Sequence, residues 1–187
     1  MLKEKLILAS RSPRRAEILT AVGWPFEAMP ADIDESILSG EDAVTYVQRL
    51  ARSKAETIAA RVGSDLVLGA DTTVVVDAEI LGQPRDDEDA RRMLKLLSGR
   101  WHKVVTGVAL ARIGSDLRVR HQTTRVRFAE LSREEIDWYV ASGEPQGKAG
   151  AYGIQGKAAL FITEIQGDYF NVVGLPVRLV FEMFDKL

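Results

Sequence analysis

Short apolar runs alternate with amphipathic segments through the first hundred residues of the chain. Leu6–Ala9 and Leu66–Gly69 are apolar runs of four residues, a length typical of buried strands. After the first run, Ser12-Pro13 is a helix-start signal, and Gly23 can close the predicted helix in a left-handed conformation. Strands that alternate with helices in this way indicate an α/β fold with a mixed sheet.

The same patterning predicts helices and strands in the rest of the chain. Further helices are expected over residues 43–60, 86–98 and 132–143 and after Pro176, and Ser132 with Glu135 forms a capping box. Arg49 lies off the apolar stripe of the first of these helices and is expected to be solvated. The strands predicted after residue 100 are Trp101–Ala111, Leu117–Phe128, Ala159–Ile165 and Tyr169–Val173, with a turn at Ile113-Gly114-Ser115-Asp116.

Composition is that of an ordinary globular protein. The chain has 187 residues, 46% hydrophobic and 28% charged, so we expect a single domain spanning residues 1–187. The formal net charge of −2 argues against a role dominated by nucleic-acid backbones, so no stable nucleic-acid partner is expected. The chain lacks cysteine, a membrane-length apolar run and a signal-peptide core. These features predict a soluble cytoplasmic protein that does not bind membranes.

Two cationic side chains lie at the start of the first predicted helix. Arg14 and Arg15 occupy its first turn, where unpaired N–H groups already make the helix end positive. Each further cation there costs about 0.3–1 kcal/mol. The pair is explained if an anion binds the helix end, and phosphate is the usual one. The alternative is a solvated surface pair that tolerates a small penalty.

Other ionisable side chains lie where they repel one another or interrupt apolar sequence. The clustered carboxylates of Asp32, Asp34 and Glu35 indicate either an acidic surface loop or a carboxylate that binds a divalent metal or acts as a general base. Lys54 falls on the apolar stripe of the second predicted helix, so it either snorkels to the edge or reaches a phosphate in a cleft. Asp71 interrupts an apolar run, and burying it unpaired costs several kcal/mol. It is therefore the leading catalytic candidate, with a turn cap as the alternative.

Glycine recurs between Gly147 and Lys157, in a segment that is either a flexible linker or a backbone that approaches a ligand closely. In the second case Tyr152 is available for stacking and Gln155 for hydrogen bonding. The segment matches neither a P-loop nor a dinucleotide fingerprint. His102 and His121 lack ligand-spaced partners and are expected to be structural. Cations and carboxylates without a usable histidine or cysteine favour phosphoryl chemistry assisted by a divalent metal.

Seven short stretches, spread over essentially the full length of the chain, resemble the Maf family of nucleotide pyrophosphatases. They are Leu8-Ala9-Ser10-Arg11-Ser12-Pro13-Arg14-Arg15, Asp34-Glu35, Lys54-Ala55, Gly69-Ala70-Asp71-Thr72, Leu97-Ser98-Gly99, Ala149-Gly150-Ala151-Tyr152-Gly153-Ile154-Gln155-Gly156 and Val173-Gly174-Leu175-Pro176. The resemblance implies a fold of the Maf and inosine-triphosphatase type, with a mixed twisted sheet flanked by helices and two lobes around a central cleft. It also implies hydrolysis of nucleoside triphosphates to the monophosphate and pyrophosphate with a divalent cation, Mg²⁺ or Mn²⁺.

The resemblance further implies roles for individual side chains. Asp71 would be the proton acceptor that activates water, and Glu35 would share the metal with it. A homodimer is plausible on the same ground, and clearing noncanonical nucleotides is the role usually proposed for relatives. The residues that would hold the triphosphate are Ser10, Arg14, Arg15 and Lys54.

Three positions separate a dTTP/UTP-hydrolysing group of the family from one that prefers 7-methyl-GTP. Arg14, Thr72 and Gln155 match the first group, and a glutamine amide offers the donor and the acceptor that the edge of uracil or thymine requires. In one departure, Gln83 stands where the family commonly has lysine, which removes a phosphate-facing charge unless Arg85 substitutes. The alternatives are a pyrophosphatase preferring 7-methyl-GTP and a nucleotide- or nucleic-acid-binding regulator without turnover.

Overall fold

The computed structural model describes residues 4–63, 65–114 and 117–185 of the chain. These residues form the helices α1 (Pro13–Ala21), α2 (Ala43–Val62), α3 (Asp87–Leu97), α4 (Arg133–Ala141), α5 (Tyr169–Val173) and α6 (Val177–Phe184). Their strands are β1 (Leu6–Ala9), β2 (Phe26–Ala28), β3 (Leu66–Val76), β4 (Glu79–Leu81), β5 (Trp101–Ala111), β6 (Arg118–Phe128) and β7 (Ile162–Gln166). Two short 3-10 helices are Ala149–Ala151 and Lys157–Phe161.

The described strands form one mixed sheet in the order β2-β1-β3-β5-β6-β7, with β4 paired to β3. β1 lies parallel to both of its neighbours, with Leu6 opposite Phe26 and Leu66. The β3–β4 and β6–β7 pairs are antiparallel. Parallel pairs require crossover connections, whereas antiparallel pairs can be joined by short turns. The mixed α/β fold predicted from the alternation of strands and helices is confirmed.

The chain divides into two compact units. Among the described residues, the first unit comprises those up to Asp71, those within Thr106–Gln122 and those from Gly174 onward. The second unit comprises Thr72–Val105 and Thr123–Val173. The strands β3, β5 and β6 each run from one unit into the other, so neither unit is a continuous piece of chain.

Local signals set the helix ends much as the sequence predicts. Ser132 and Glu135 form the expected capping box at the start of α4, and the Asp86 side chain caps α3. Gly23 has a φ of 67°, which is the left-handed conformation predicted after α1. Ser12 precedes α1, but its side chain makes no capping hydrogen bond. The N–H groups of the first turn of α1 are therefore not capped by this hydroxyl.

In the first unit, α2 lies directly against the sheet because two glycines face it. A Cβ at Gly69 would overlap the carbonyl oxygen of Ala51 and lie 2.8 Å from the Ala55 nitrogen. A Cβ at Gly107 would lie 2.8 Å from the nitrogen of Gln48. Only glycine permits this approach, which sets the height of α2 above β3 and β5. The core packed there consists of Ile7, Ala9, Ala51, Ala55, Ile58, Ala59, Val67, Ala109 and Ala111.

The second unit has its own core, in which α3 and α4 pack with the second halves of β3 and β6. Buried aromatic rings meet edge to face within it: Phe128 contacts Tyr152 at 4.8 Å and His102 at 5.0 Å between ring centroids. The aliphatic part of this core includes Val74, Val76, Leu81, Ala90, Met93, Leu94, Leu97, Val104, Val126, Ile136 and Val140.

The strand predicted at Tyr169–Val173 is wrong, because these residues form the short helix α5. The Asp168 carboxylate accepts a hydrogen bond from the Phe170 N–H (2.8 Å), as an N-cap residue does. Asn171 is fully buried and donates to Val104 O and to Thr124 Oγ1, both at 3.0 Å. A buried amide that satisfies two acceptors fixes the segment as a helical turn instead of an added strand.

The strand predicted at Ala159–Ile165 is correct only in its second part, since Lys157–Phe161 is a 3-10 helix and β7 begins afterwards. Of the turn predicted between β5 and β6, Ser115 and Asp116 lie outside the described residues. A search of the described helices for a segment long and apolar enough to cross a membrane finds none.

Candidate functional site

Lys54 lies between two carboxylates in the first unit. Its Nζ is 2.6 Å from Asp71 Oδ1 and 2.7 Å from Glu35 Oε1. The side chains of Lys54 and Asp71 are 9% and 11% exposed, whereas that of Glu35 is 51% exposed. Lys54 is therefore buried and paired, and the alternative that it snorkels to the edge is wrong. Three predicted site residues meet at one ammonium group.

The packing of α2 on β3 produces this meeting. Lys54 follows Ala51 by one helical turn, and Asp71 follows Gly69 by two residues on β3. Gly69 allows the backbone of Ala51 to contact the strand. At this short distance between helix and strand, the ammonium group of Lys54 meets the carboxylate of Asp71. Asp71 lies within a continuous strand, so its alternative role as a turn cap is wrong.

Burial raises the pKa of the Asp71 carboxyl above its ordinary value, and the charges of Lys54 and Arg15 oppose that rise. A buried carboxylate costs free energy unless a cation pairs with it, and here Lys54 does so. A carboxyl whose pKa is raised takes up a proton more readily than an exposed aspartate does. This is the property required of a general base that works near neutral pH.

Two residues of α2 hold the loop that presents Glu35. The Tyr46 hydroxyl donates to Glu35 O (3.0 Å), and Arg49 Nη2 donates to Ser36 O (2.9 Å). Arg49 also pairs with Glu41 at 2.6 Å, so the expectation that it is simply solvated is wrong. Tyr46 and Arg49 were not predicted as site residues. Their three-residue spacing on one helix was the available signal, but nothing in the sequence indicated what they would hold.

The other two acidic residues of this loop do not join the cluster. The Asp32 side chain is 98% exposed and pairs with Arg11 at 3.3 Å. Asp34 accepts hydrogen bonds from the backbone and hydroxyl of Ser36, which is a local turn. Among the described residues, no group of three or more histidine, cysteine, aspartate or glutamate side chains is placed to hold a metal ion. Glu35 and Asp71 are thus the carboxylates that this site offers.

Ser10 and Arg15 form a second buried pair in the first unit. Arg15 Nη1 donates to Ser10 Oγ (2.9 Å), and Arg15 Nε donates to Gly174 O (2.8 Å). Ser10 Oγ also accepts from the Ser12 N–H at 3.2 Å. Burial lowers the pKa of the Arg15 guanidinium from its ordinary value. Arg14, the neighbouring residue in the first turn of α1, is half-buried.

Thr72 and Gln155 belong to the second unit. Thr72 directly follows Asp71 in β3 and is half-buried. Gln155 is exposed at a turn closed by a hydrogen bond from the Gly156 N–H to Gly153 O (3.2 Å), next to the buried Ile154. The glycine-rich segment is therefore an ordered turn that displays a glutamine, and the linker alternative is wrong.

Tyr152 is not available for stacking on a ligand, contrary to expectation. It is only 6% exposed, and its hydroxyl lies 2.7 Å from His102 Nε2. Burial lowers the pKa of His102 to about 4, so the ring is neutral at physiological pH. The structural role expected for His102 agrees with this contact, which anchors the start of the turn.

Glu144 holds the other end of the Gln155 turn and was not predicted to contribute. Its Oε1 accepts from the Tyr139 hydroxyl (3.1 Å), and its Oε2 accepts from the Lys157 N–H (3.0 Å). A Cβ at Gly156 would lie 2.7 Å from Glu144 Oε2, so a larger residue there would displace this carboxylate.

Gln83, the residue that departs from the family pattern, is exposed. The Asp89 carboxylate accepts hydrogen bonds from Arg85 N (3.2 Å) and Arg85 Nε (3.4 Å), and the Arg85 side chain is 82% exposed. Arg85 is thus held at the start of α3, and its substitution for the missing lysine stays a prediction.

The fold recurs in solved structures of Ham1 proteins. The HAM1 protein from Coxiella burnetii superposes with a TM-score of 0.56 over 97% of this chain and 99% of that chain, at 18% identity. The Staphylococcus aureus Ham1 protein gives a TM-score of 0.51 over 68% of this chain and 73% of its own, at 15% identity. At these identities the likeness concerns the fold, which is that of the Ham1-type α/β proteins.

Sequence comparison is more specific. Residues 5–187 match the family described as Maf-like protein, and the chain belongs to the Maf family. A relative named dTTP/UTP pyrophosphatase from Symbiobacterium thermophilum is 53% identical over 183 residues, which is 98% of this chain and 94% of that protein. A relative of the same name from Chromobacterium violaceum is 54% identical over 93% of this chain and 90% of its own. The resemblance seen in the seven motifs is confirmed.

Proposed function

We propose that this protein is a nucleotide pyrophosphatase that hydrolyses dTTP and UTP to the monophosphate and pyrophosphate. The cluster of Lys54 with Asp71 and Glu35 is the observation that carries this proposal, since it places a buried carboxylate beside a cation and a second carboxylate. Relatives about half identical over nearly the whole chain bear the name dTTP/UTP pyrophosphatase.

Asp71 is the general base in this proposal. A water molecule attacks phosphorus and the α–β anhydride bond breaks, while Asp71 takes the proton that the water loses. The raised pKa of Asp71 supports this role, because a stronger base accepts a proton at lower free-energy cost. The products are the nucleoside monophosphate and pyrophosphate, so no phosphoryl group stays on the protein.

Ser10, Arg14, Arg15 and Lys54 bind the triphosphate. Ser10 Oγ already accepts two N–H groups, from Arg15 and Ser12, so its own proton remains to be donated to a phosphate oxygen. Arg14 lies in the first turn of α1, where the helix end adds positive potential. Lys54 is a compact charge at the end of a flexible stem, which suits it to a phosphate ligand.

Glu35 and Asp71 fit a divalent cation, Mg²⁺ or Mn²⁺. Their oxygens already converge on one ammonium group, and carboxylate oxygens are the ligands these ions prefer. Two protein carboxylates are a usual number for Mg²⁺, which commonly takes further oxygens from substrate phosphates and water. When bound, such a cation supplies positive charge that offsets the charge of the phosphates.

Arg14, Thr72 and Gln155 select the base in this proposal. The exposed Gln155 amide, displayed on an ordered turn, can donate to one carbonyl of uracil or thymine and accept from the ring N–H. A site that satisfies such a base leaves its own polar groups unpaired with a mismatched one, which can reduce the rate by orders of magnitude.

Product analysis tests the proposed function. We expect the purified protein with Mg²⁺ or Mn²⁺ to release pyrophosphate from dTTP and UTP. Asp71→Asn keeps the shape of the side chain but removes the base, and we expect it to lower kcat by about 100-fold or more. Asp32→Asn removes an exposed carboxylate of the same charge and should keep wild-type turnover.

Three outcomes would contradict the proposal. Release of single phosphate instead of pyrophosphate would exclude the reaction, and full activity of Asp71→Asn would exclude the proposed base. Faster turnover of 7-methyl-GTP than of dTTP and UTP would favour the other group of the family. Salt-sensitive binding to nucleic acid without hydrolysis of any triphosphate would instead indicate a regulator.

Several expectations from the sequence stay predictions. They are the two lobes around a central cleft, the single domain of residues 1–187, the cytoplasmic location and the homodimer. The proposed reaction depends on none of these four properties. It requires only that the triphosphate and the base are bound at the same time.

A further inference from the structure

Lys54 already stands where a divalent cation would have to bind. Its ammonium lies within 2.7 Å of one oxygen from each of the two carboxylates proposed as metal ligands. An ammonium group and a divalent cation are attracted by the same oxygens, and both cannot occupy so small a space because like charges at contact distance repel strongly. Metal binding at these carboxylates therefore requires Lys54 to leave.

The surroundings of Lys54 favour the paired state while no ligand is bound. Its stem is buried on the apolar stripe of α2, and Asp71 is itself buried. A buried carboxylate left without a partner costs several kcal/mol, and Lys54 removes that cost in the free protein. Glu35 is held in reach because Tyr46 binds its backbone oxygen.

We propose that Lys54 is the resident cation of this site and excludes a divalent metal until a triphosphate draws the lysine away. This inference rests on the proposed function. The phosphates offer Lys54 a new anion, and its departure leaves Glu35 and Asp71 without the cation that both of them contact. These two carboxylates then bind the metal, so the metal and the nucleotide bind cooperatively and the free protein binds metal weakly.

Metal binding in the absence of nucleotide tests the inference. Titration of Mn²⁺ into the free protein, followed by calorimetry and by the electron paramagnetic resonance of unbound Mn²⁺, gives a dissociation constant for each variant. We expect Lys54→Met, which keeps the stem and removes the charge, to bind Mn²⁺ about tenfold more tightly than wild type or better. Lys54→Arg keeps the charge and should bind as weakly as wild type.

Equal or weaker Mn²⁺ binding by folded Lys54→Met would overturn the inference. Because Lys54→Met leaves Asp71 buried without its cation, the variant could fail to fold, and a measurement on the wild-type chain avoids this dependence. With ¹⁵N-labelled lysine, the Lys54 ammonium signal is assigned by its absence in Lys54→Arg. We expect millimolar Mg²⁺ alone to leave this signal unchanged and the α,β-methylene analogue of UTP to shift it. A shift with Mg²⁺ alone would overturn the inference.

The same preparation separates this inference from the proposed function. If the wild-type protein releases pyrophosphate from UTP but Lys54→Met gains no affinity for Mn²⁺, only the inference fails. If the wild-type protein neither binds nor hydrolyses any triphosphate, the proposed function fails. In that case the Mn²⁺ constants still report whether Lys54 and the metal compete.

Discussion

His102 shows how burial of a single residue sets a pH dependence for the protein. Its Nε2 lies 2.7 Å from the Tyr152 hydroxyl, and burial lowers its pKa to about 4 in the folded protein. In the unfolded chain its pKa is about 6.5, so the unfolded state binds a proton first as the pH falls. The stability linked to His102 is therefore fully present above pH 6.5 and is lost as the pH falls toward 4.

We expect the free energy of unfolding to fall between pH 7.5 and pH 5 by about 2 kcal/mol more in wild type than in His102→Gln. Glutamine does not titrate and can still bond to the Tyr152 hydroxyl, so the variant isolates the proton. Urea unfolding followed by tryptophan fluorescence at the two pH values measures the difference. His121→Gln removes an exposed histidine and should behave as wild type. The same pH difference in His102→Gln and wild type would show that His102 is not responsible.

For individual residues, the sequence identifies those that interrupt the hydrophobic pattern, but it does not identify their partners. Asp71 and Lys54 could be selected because each interrupts apolar sequence, and both are buried. Glu35 could not be separated from Asp34 by type or position, because the distinction depends on how the loop is anchored on α2. The aromatic ring of Tyr152 suggests that it stacks on a ligand. Its actual partner, His102, lies fifty residues away in the chain, so the local sequence does not indicate this contact.

Among the elements, the contact between α2 and β3 determines whether Lys54 and Asp71 meet. We expect Gly69→Ala to lower the free energy of unfolding by about 1–3 kcal/mol, because its Cβ overlaps the Ala51 carbonyl oxygen and α2 must move. A displacement near 1 Å can reduce kcat by about 100-fold when it separates groups that act together. Urea unfolding and dTTP turnover measure the two effects.

Gly82→Ala is the matched control for this substitution. No heavy atom lies within 4 Å of a Cβ built there, so the same methyl group should leave the free energy of unfolding within about 0.5 kcal/mol of wild type. Wild-type stability and turnover in Gly69→Ala would mean that α2 does not depend on this close approach.

The Gln155 turn is the second element on which the proposed specificity depends. We expect Glu144→Ala to reduce the preference for dTTP over dGTP several-fold, because the Lys157 N–H and the Tyr139 hydroxyl lose their acceptor and the turn loosens. Loss of hydrogen bonds to a charged group typically costs about 1.5–3 kcal/mol. The ratio of kcat/KM values for the two nucleotides is the measurement. Glu134→Ala, an exposed carboxylate in α4, should keep the wild-type ratio, and an unchanged ratio in Glu144→Ala would exclude the positioning role.

Long elements with clear periodicity were predictable, and short apolar runs were not. β1 and β5 have the bounds expected from the sequence because apolar residues fill them and polar signals end them. Tyr169–Val173 is a run of five residues, which is too short for periodicity to separate strand from helix. Its helical form depends on the hydrogen bonds from Asn171 to acceptors on β5 and β6. The local hydrophobic pattern does not predict contacts with such distant parts of the chain.

For the molecule as a whole, connectivity argues that the two compact units unfold together. Three strands, β3, β5 and β6, contribute residues to both units, so unfolding either unit removes part of each of these strands. We expect one calorimetric transition with equal calorimetric and van't Hoff enthalpies, as for a single domain. Two resolved transitions would contradict the single domain predicted for residues 1–187.

Ligand addition makes the same experiment more specific. The four proposed phosphate ligands, Ser10, Arg14, Arg15 and Lys54, all belong to the first unit. Mg²⁺ and the α,β-methylene analogue of UTP, at about 100 times the dissociation constant, should stabilise the folded state by about 2.7 kcal/mol and raise Tm by about 5–10 °C. Because unfolding is expected to be cooperative, the entire heat of unfolding should move with the ligand, including the part contributed by the second unit. If only part of the heat moved with the ligand, the two units would unfold independently, and the expected cooperativity would be wrong.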